Sequence, residues 1–181
     1  IVQSGTLRYM NGNNTAQNMV VYGNVRVDNG AVFDVNTAGT AANLLTIQGN
    51  LTNNGTFDMN AGAGRVCNVI FSGPANREIN GTGTVTDFNT IEVNKGASRN
   101  ALLEVKSSVL SLNTSLATAL TLTNGTFRLT SPIVLNLTNA GSFTIPTSGC
   151  LSANGGTINI GGAAATNSTD LILDGRLEIL S

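Results

Sequence analysis

Apolar residues alternate with others over short stretches of this chain, and the stretches recur. Val25-x-Val27, Phe33-x-Val35, Phe57-x-Met59, Ile91-x-Val93, Leu120-x-Leu122, Phe127-x-Leu129 and Ile158-x-Ile160 each follow a period of two. That period predicts strands with one buried face. Asn-Gly and Gly-Thr punctuate them closely enough to leave no room for crossover helices.

The recurrence has a length. Gly5-Thr6-Leu7, Gly30-Ala31-Val32 and Gly55-Thr56-Phe57 are evenly spaced along the chain. Gly23-Asn24-Val25 through Asp34-Val35-Asn36 is matched by Gly49-Asn50-Leu51 through Asp58-Met59-Asn60, at offsets drifting from 26 to 24. Leu45-Thr46-Ile47-Gln48-Gly49 returns one repeat later as Val69-Ile70-Phe71-Ser72-Gly73. Equivalent positions recurring in one chain direction predict an all-β, right-handed parallel β-helix (a solenoid) of roughly seven coils of about 25 residues. The reading covers residues 1–181 as a single segment truncated at both ends from a longer chain. An antiparallel β-sandwich would account for the strands and turns, but not for the repeat.

Two stretches admit alternatives. Gly125-Thr126-Phe127, Gly141-Ser142-Phe143, Gly156-Thr157-Ile158 and Gly175-Arg176-Leu177 follow at intervals of 16, 15 and 19. Either the motif sits on more than one face or the second half contains irregular turns. Val109, Leu112, Leu116 and Leu120 approach helical spacing, whereas Leu110 and Leu122 fit strands; strand is favoured.

Composition sharpens this picture. Charged residues make up 10%, and the polar surface comes from 25 Asn, 23 Thr and 21 Gly, which suit pleated strands and sharp corners. No basic cluster is available for nucleic acid or for an anionic membrane surface. No 18-residue apolar run predicts a transmembrane helix. At 4% aromatics, the core is expected to be layers of Val, Leu and Ile. Cys67 and Cys150, about three coils apart, read as buried thiols and not as a disulfide.

The candidate chemistry is sparse. Asp34 and Asp58 each lie between two apolar residues, so they point outward from equivalent strands about 5 Å apart. That spacing suits a shared proton, a Ca²⁺ ion or a glycosidic bond. Equally, it suits two solvated carboxylates. The cations Arg65, Arg77, Arg99 and Lys106 look scattered, and Arg26 and Arg128 look solubilising. With no His, the usual triads and most metal sites are gone, so neither a catalytic set, a metal nor a cofactor is expected. Thr82-x-Thr84-x-Thr86 and Thr121-x-Thr123 are single instances and build no flat ice-binding lattice. Asn24 with Asn50, Asn29 with Asn54, and Asn36 with Asn60 are placed to form amide ladders. The runs Asn13-Asn14-Thr15 and Asn167-Ser168-Thr169 read as loop polarity.

Three phrases carry a resemblance. Phe71-Ser72-Gly73, Arg77 to Thr84 and Phe88 to Gly96 form the first; Leu120 to Phe127 and Gly49 to Phe57 form the others. They resemble the repeat-rich β-helical regions of very large secreted and cell-surface proteins of Bacteroidetes-type bacteria. The resemblance implies an adhesin-like stalk segment, extracellular or outer-membrane associated, exported across the outer membrane by type IX secretion. It implies partners among the secretion machinery and surface glycans, and it carries over no catalytic residues. The expected role is therefore structural or adhesive and not enzymatic. The alternative is a polysaccharide-binding or polysaccharide-degrading β-helix, a hydrolase or lyase.

Overall fold

A computed structural model describes residues 1–11, 15–37, 41–62, 64–137, 142–161 and 171–180. Every element among them is a strand, and all the strand-to-strand pairings are parallel. The chain is a parallel β-helix. None of the described residues forms a helix long and apolar enough to cross a membrane.

Each coil lays strands on successive faces. The first face stacks Thr6–Asn11, Val32–Thr37, Thr56–Asp58, Val85–Phe88 and Ser111–Leu112. The second stacks Asn18–Val21, Asn43–Ile47, Cys67–Ser72, Thr90–Asn94 and the start of Leu120–Leu129. On the third lie Val25–Val27, Leu51–Asn53, Arg77–Asn80, Leu102–Val105, the end of Leu120–Leu129, Gly149–Asn154 and Arg176–Leu180. That face has seven strands joined by six parallel steps, a rise of about 29 Å at the usual spacing between strands.

Register explains the small slips in the repeat. Leu7 pairs with Phe33 and Phe33 with Phe57, so the first step is slightly longer than the second. Gly30 therefore stands one position out of line with Gly5 and Gly55, at a corner with φ +77. Elsewhere the step is shortest between Asn68 and Thr90 and longest between Asn94 and Asn124. Most of the extra residues go into corners, but one lies inside Leu120–Leu129, where Val93 pairs with Leu122 and Asn94 with Asn124.

The irregular second half resolves into different faces. Thr126 and Arg176 belong to the third face, two steps apart through Cys150. Phe143 instead pairs with Leu171, and Thr157 with Val134, on two separate two-stranded stacks. Gly141 lies outside the described residues, as do Asn13, Asn14 and Asn167 to Thr169. Over 107–120 the strands Ser111–Leu112 and Leu120–Leu129 flank a turn, with no helix. Leu120–Leu129 bends from the second face to the third at Gly125, whose φ of +96 suits glycine. A side chain there would press on Ala101 O and on Lys95.

Alternation delivers the core. Inward positions such as Leu45, Ile47, Leu51, Met59, Val69, Ile79, Ile91, Leu103 and Val105 are fully buried. The expectation of a core without large rings needs correction: all six Phe are buried, and four touch one another. Phe33 packs edge-on against Phe57 at 5.6 Å, Phe57 meets Phe88 at 5.3 Å, and Phe88 meets Phe71 at 6.3 Å. Few aromatics suffice because the interior is narrow and all six phenyl rings point into it. Cys67 and Cys150 are buried free thiols, and burial pushes Cys67 up to about 12.

Candidate functional site

The first face carries an acidic row. Asp34 and Asp58 are Cα partners in adjacent strands, as their pattern predicts, and Asp58 is in turn the partner of Asp87. Arg8 precedes them in the column and Ser111 follows. Each aspartate is half-buried, flanked by inward neighbours: Phe33 and Val35, Phe57 and Met59, Thr86 and Phe88. The ends of the row are satisfied. Arg8 donates to both oxygens of Asp34, at 2.8 and 2.6 Å, and Ser111 Oγ donates to Asp87 at 2.7 Å. Among the described residues, the Asp58 carboxylate accepts only the Asn60 N–H, at 3.0 Å.

Electrostatics single out the middle carboxyl. Burial raises the pKa of Asp58; the Asn60 N–H lowers it, Asp87 and Asp34 raise it further, and the charge of Arg65 offsets part of that rise. The row can therefore hold a proton on Asp58 more readily than an exposed carboxyl could. It is a line and not a cage. Among the described residues no three His, Cys, Asp or Glu are grouped to hold a metal ion.

A second surface lies at the corner between the third and first faces. Asp28, Asn29, Asn54, Thr56, Thr82 and Thr84 line an open groove of about 870 Å³. Asn53 braces it from within: Nδ2 donates to Val85 O at 2.6 Å and to Thr86 Oγ1 at 2.9 Å, while Oδ1 accepts the Gly55 N–H at 3.1 Å. Thr86 is thus buried, which removes it from any outward threonine array.

The asparagine pairings differ from the ladders expected. Asn24 Oδ1 accepts the Asn50 N–H, Asn50 Oδ1 accepts the Glu78 N–H and Asn76 Oδ1 accepts the Leu102 N–H, so these amides cap backbone donors on the next coil. Asn29 with Asn54 and Asn36 with Asn60 form no mutual bond among the described residues. Amide-to-amide rungs occur instead from Asn113 to Asn89 to Asn68, from Asn124 to Asn94 and from Asn159 to Asn136.

The cations are less scattered than their sequence positions suggest. Lys106 bridges Glu78 and Glu104, Arg26 pairs with Asp28, and Arg77 donates to Gln48 O and Asn76 O. Arg99 and Arg128, with Arg176, border one depression on the third face. Arg99 lies in no local motif and Arg176 only in the half-motif Gly175-Arg176-Leu177, and the spacings from Arg99 to Arg128 and from Arg128 to Arg176 fit no single coil.

The fold and these surfaces define a solenoid with one apolar interior and polar rows along its faces and corners. No family model, curated protein or solved structure matches this chain.

Proposed function

We propose that this chain is a stalk-like segment of a large extracellular bacterial surface protein, exported across the outer membrane, whose work is spacing and presentation. The observation that supports the reading most directly is the ladder on the third face, six parallel steps over one apolar interior. A load along the axis is shared by every backbone hydrogen bond between coils. Uncharged amide and hydroxyl side chains cover much of the outside, which leaves few exposed charges for salt to screen. The resemblance to Bacteroidetes-type surface proteins and their type IX export is part of this proposal.

Two experiments test it. An antibody against the chain should bind intact source cells, and duplicating one coil should lengthen the particle by about 4.8 Å in solution scattering. Antibody access only after permeabilisation would overturn the reading.

The corner groove favours a second reading, a polysaccharide-binding module. Neutral amides and hydroxyls such as Asn29, Thr56 and Thr84 are the groups that hydrogen-bond sugar hydroxyls. Retention on an immobilised neutral glycan, lost on replacing Thr84 and Asn29 by Ala, would favour it over a pure spacer. Turnover of a polysaccharide that Asp58→Asn abolishes would point to the degrading alternative.

A further inference from the structure

Several cations on this molecule are matched by acids. Arg8 has Asp34, Arg26 has Asp28, and Lys106 has both Glu78 and Glu104. One depression on the third face departs from that matching. Arg99, Arg128 and Arg176 border about 210 Å³ of space together with a single carboxylate among the described residues, Glu178. Three guanidiniums against one carboxylate leave two positive charges uncompensated in a chain whose net charge is −1.

Register builds the site. Leu102, Thr126, Cys150 and Arg176 form one column of Cα partners, and Glu104, Arg128, Ser152 and Glu178 the column beside it. Glu178 is clamped: Arg176 reaches one oxygen at 2.7 Å and Arg128 the other at 3.4 Å. Glu104, the partner of Arg128, is committed elsewhere, to Lys106 at 3.2 Å and Thr130 Oγ1 at 2.8 Å. Arg99 comes from the exposed corner before Leu102, and Thr126 Oγ1 fixes that corner by donating to Arg99 O at 2.6 Å. The Arg99 guanidinium has no ion pair among the described residues. Asn76 spends its oxygen on the Leu102 N–H, which leaves its amide NH₂ as a further donor at the rim.

We propose that this depression binds an oxyanion, the carboxylate or sulfate group of an acidic sugar or the free inorganic ion. Guanidinium forks match the paired oxygens of both groups, and donors without acceptors are what an oxyanion supplies. The volume fits one such group with its hydration. The site goes beyond the spacer reading and does not depend on it.

The test is an NMR titration that follows the arginine Nε–Hε resonances of the intact chain. Sodium sulfate and a glucuronate oligosaccharide form two arms, with sodium chloride at matched ionic strength as reference. Saturable shifts of Arg99, Arg128 and Arg176 are expected in at least one arm, with Arg8 and Arg65 unmoved. Saturation by sulfate alone assigns the site to the free ion; tighter saturation by the oligosaccharide assigns it to a sugar-borne group. Arg99→Gln, at an exposed corner, should weaken binding roughly five- to tenfold while leaving the thermal midpoint unchanged. Shifts no larger than those in chloride, or affinity unchanged in Arg99→Gln, would overturn the assignment.

Discussion

Asp34 and Asp58 are Cα partners on neighbouring coils, yet Arg8 holds both oxygens of the first while no ion pair among the described residues reaches the second. With Asp87 on its other side, Asp58 faces like charge from both directions. Its carboxyl titrates above the ordinary carboxylate value, so the folded state disfavours its charged form. The group costs nothing below the unfolded pKa, and stability is lost as pH rises through the folded pKa. Asp58→Asn keeps the oxygen that accepts from Asn60 and removes the repulsion. It should stabilise by about 0.2–1 kcal/mol at pH 7 and by nothing near pH 3, read from urea unfolding. Equal midpoints at pH 7 would mean that water already screens the row.

The Asp34–Asp58 pairing was legible because the local step matches the repeat length seen along the chain. Asp87 was not. It lies more than one repeat beyond Asp58, because the corner through Gly81-Thr82-Gly83-Thr84 is longer, and a fixed period lands on Thr82 or Gly83. Arg8 could have been found from the alternation Leu7-x-Tyr9, which puts it outward one coil before Asp34. Inward positions follow from the alternation each strand carries in its own residues, and the parallel architecture from the coil-length repeat along the chain. The arginine depression depends on corner lengths and on which face each segment reaches, and neither is written in a short window.

Lys95 is fully buried, with Nζ donating to Ser72 O at 3.2 Å and Gly73 O at 3.3 Å. Burial first, and Arg77 second, depress its pKa to about 8 from an ordinary 10.5. Between those values the unfolded chain binds more protons than the folded one, so stability rises with pH across that window. The wild type should gain up to about 3 kcal/mol relative to Lys95→Met between pH 7 and 10.5. Comparing the two proteins matters, since Tyr9 and Cys67, both pushed up to about 12, act in the opposite direction at high pH. A pH-independent difference would show that Lys95 carries no charge penalty.

Asn53 and Asn29 separate a structural amide from a surface one. Asn53 is fully buried and makes three hydrogen bonds, two to the next coil and one that closes its own corner at Gly55. Asn29 is exposed at the rim of the groove. Asn53→Ala strands Val85 O and the Gly55 N–H and should cost about 2–3 kcal/mol. Asn29→Ala should stay within about 0.5 kcal/mol. Similar losses in urea unfolding would contradict the bracing role of Asn53.

Gly81 and Gly5 distinguish backbone conformation from close approach between coils. Both have positive φ, +114 and +73. A side chain at Gly5 would meet nothing within 4 Å, whereas one at Gly81 would run into the backbone of Asn53. Gly5→Ala should therefore cost only the conformational penalty, about 1–2 kcal/mol. Gly81→Ala must also push two coils apart and should cost more than about 4 kcal/mol, a loss of the size that core disruption produces. Thermal unfolding of the two variants reads the difference. Equal midpoints would mean that φ alone sets the cost and that the coils can separate at this corner without strain.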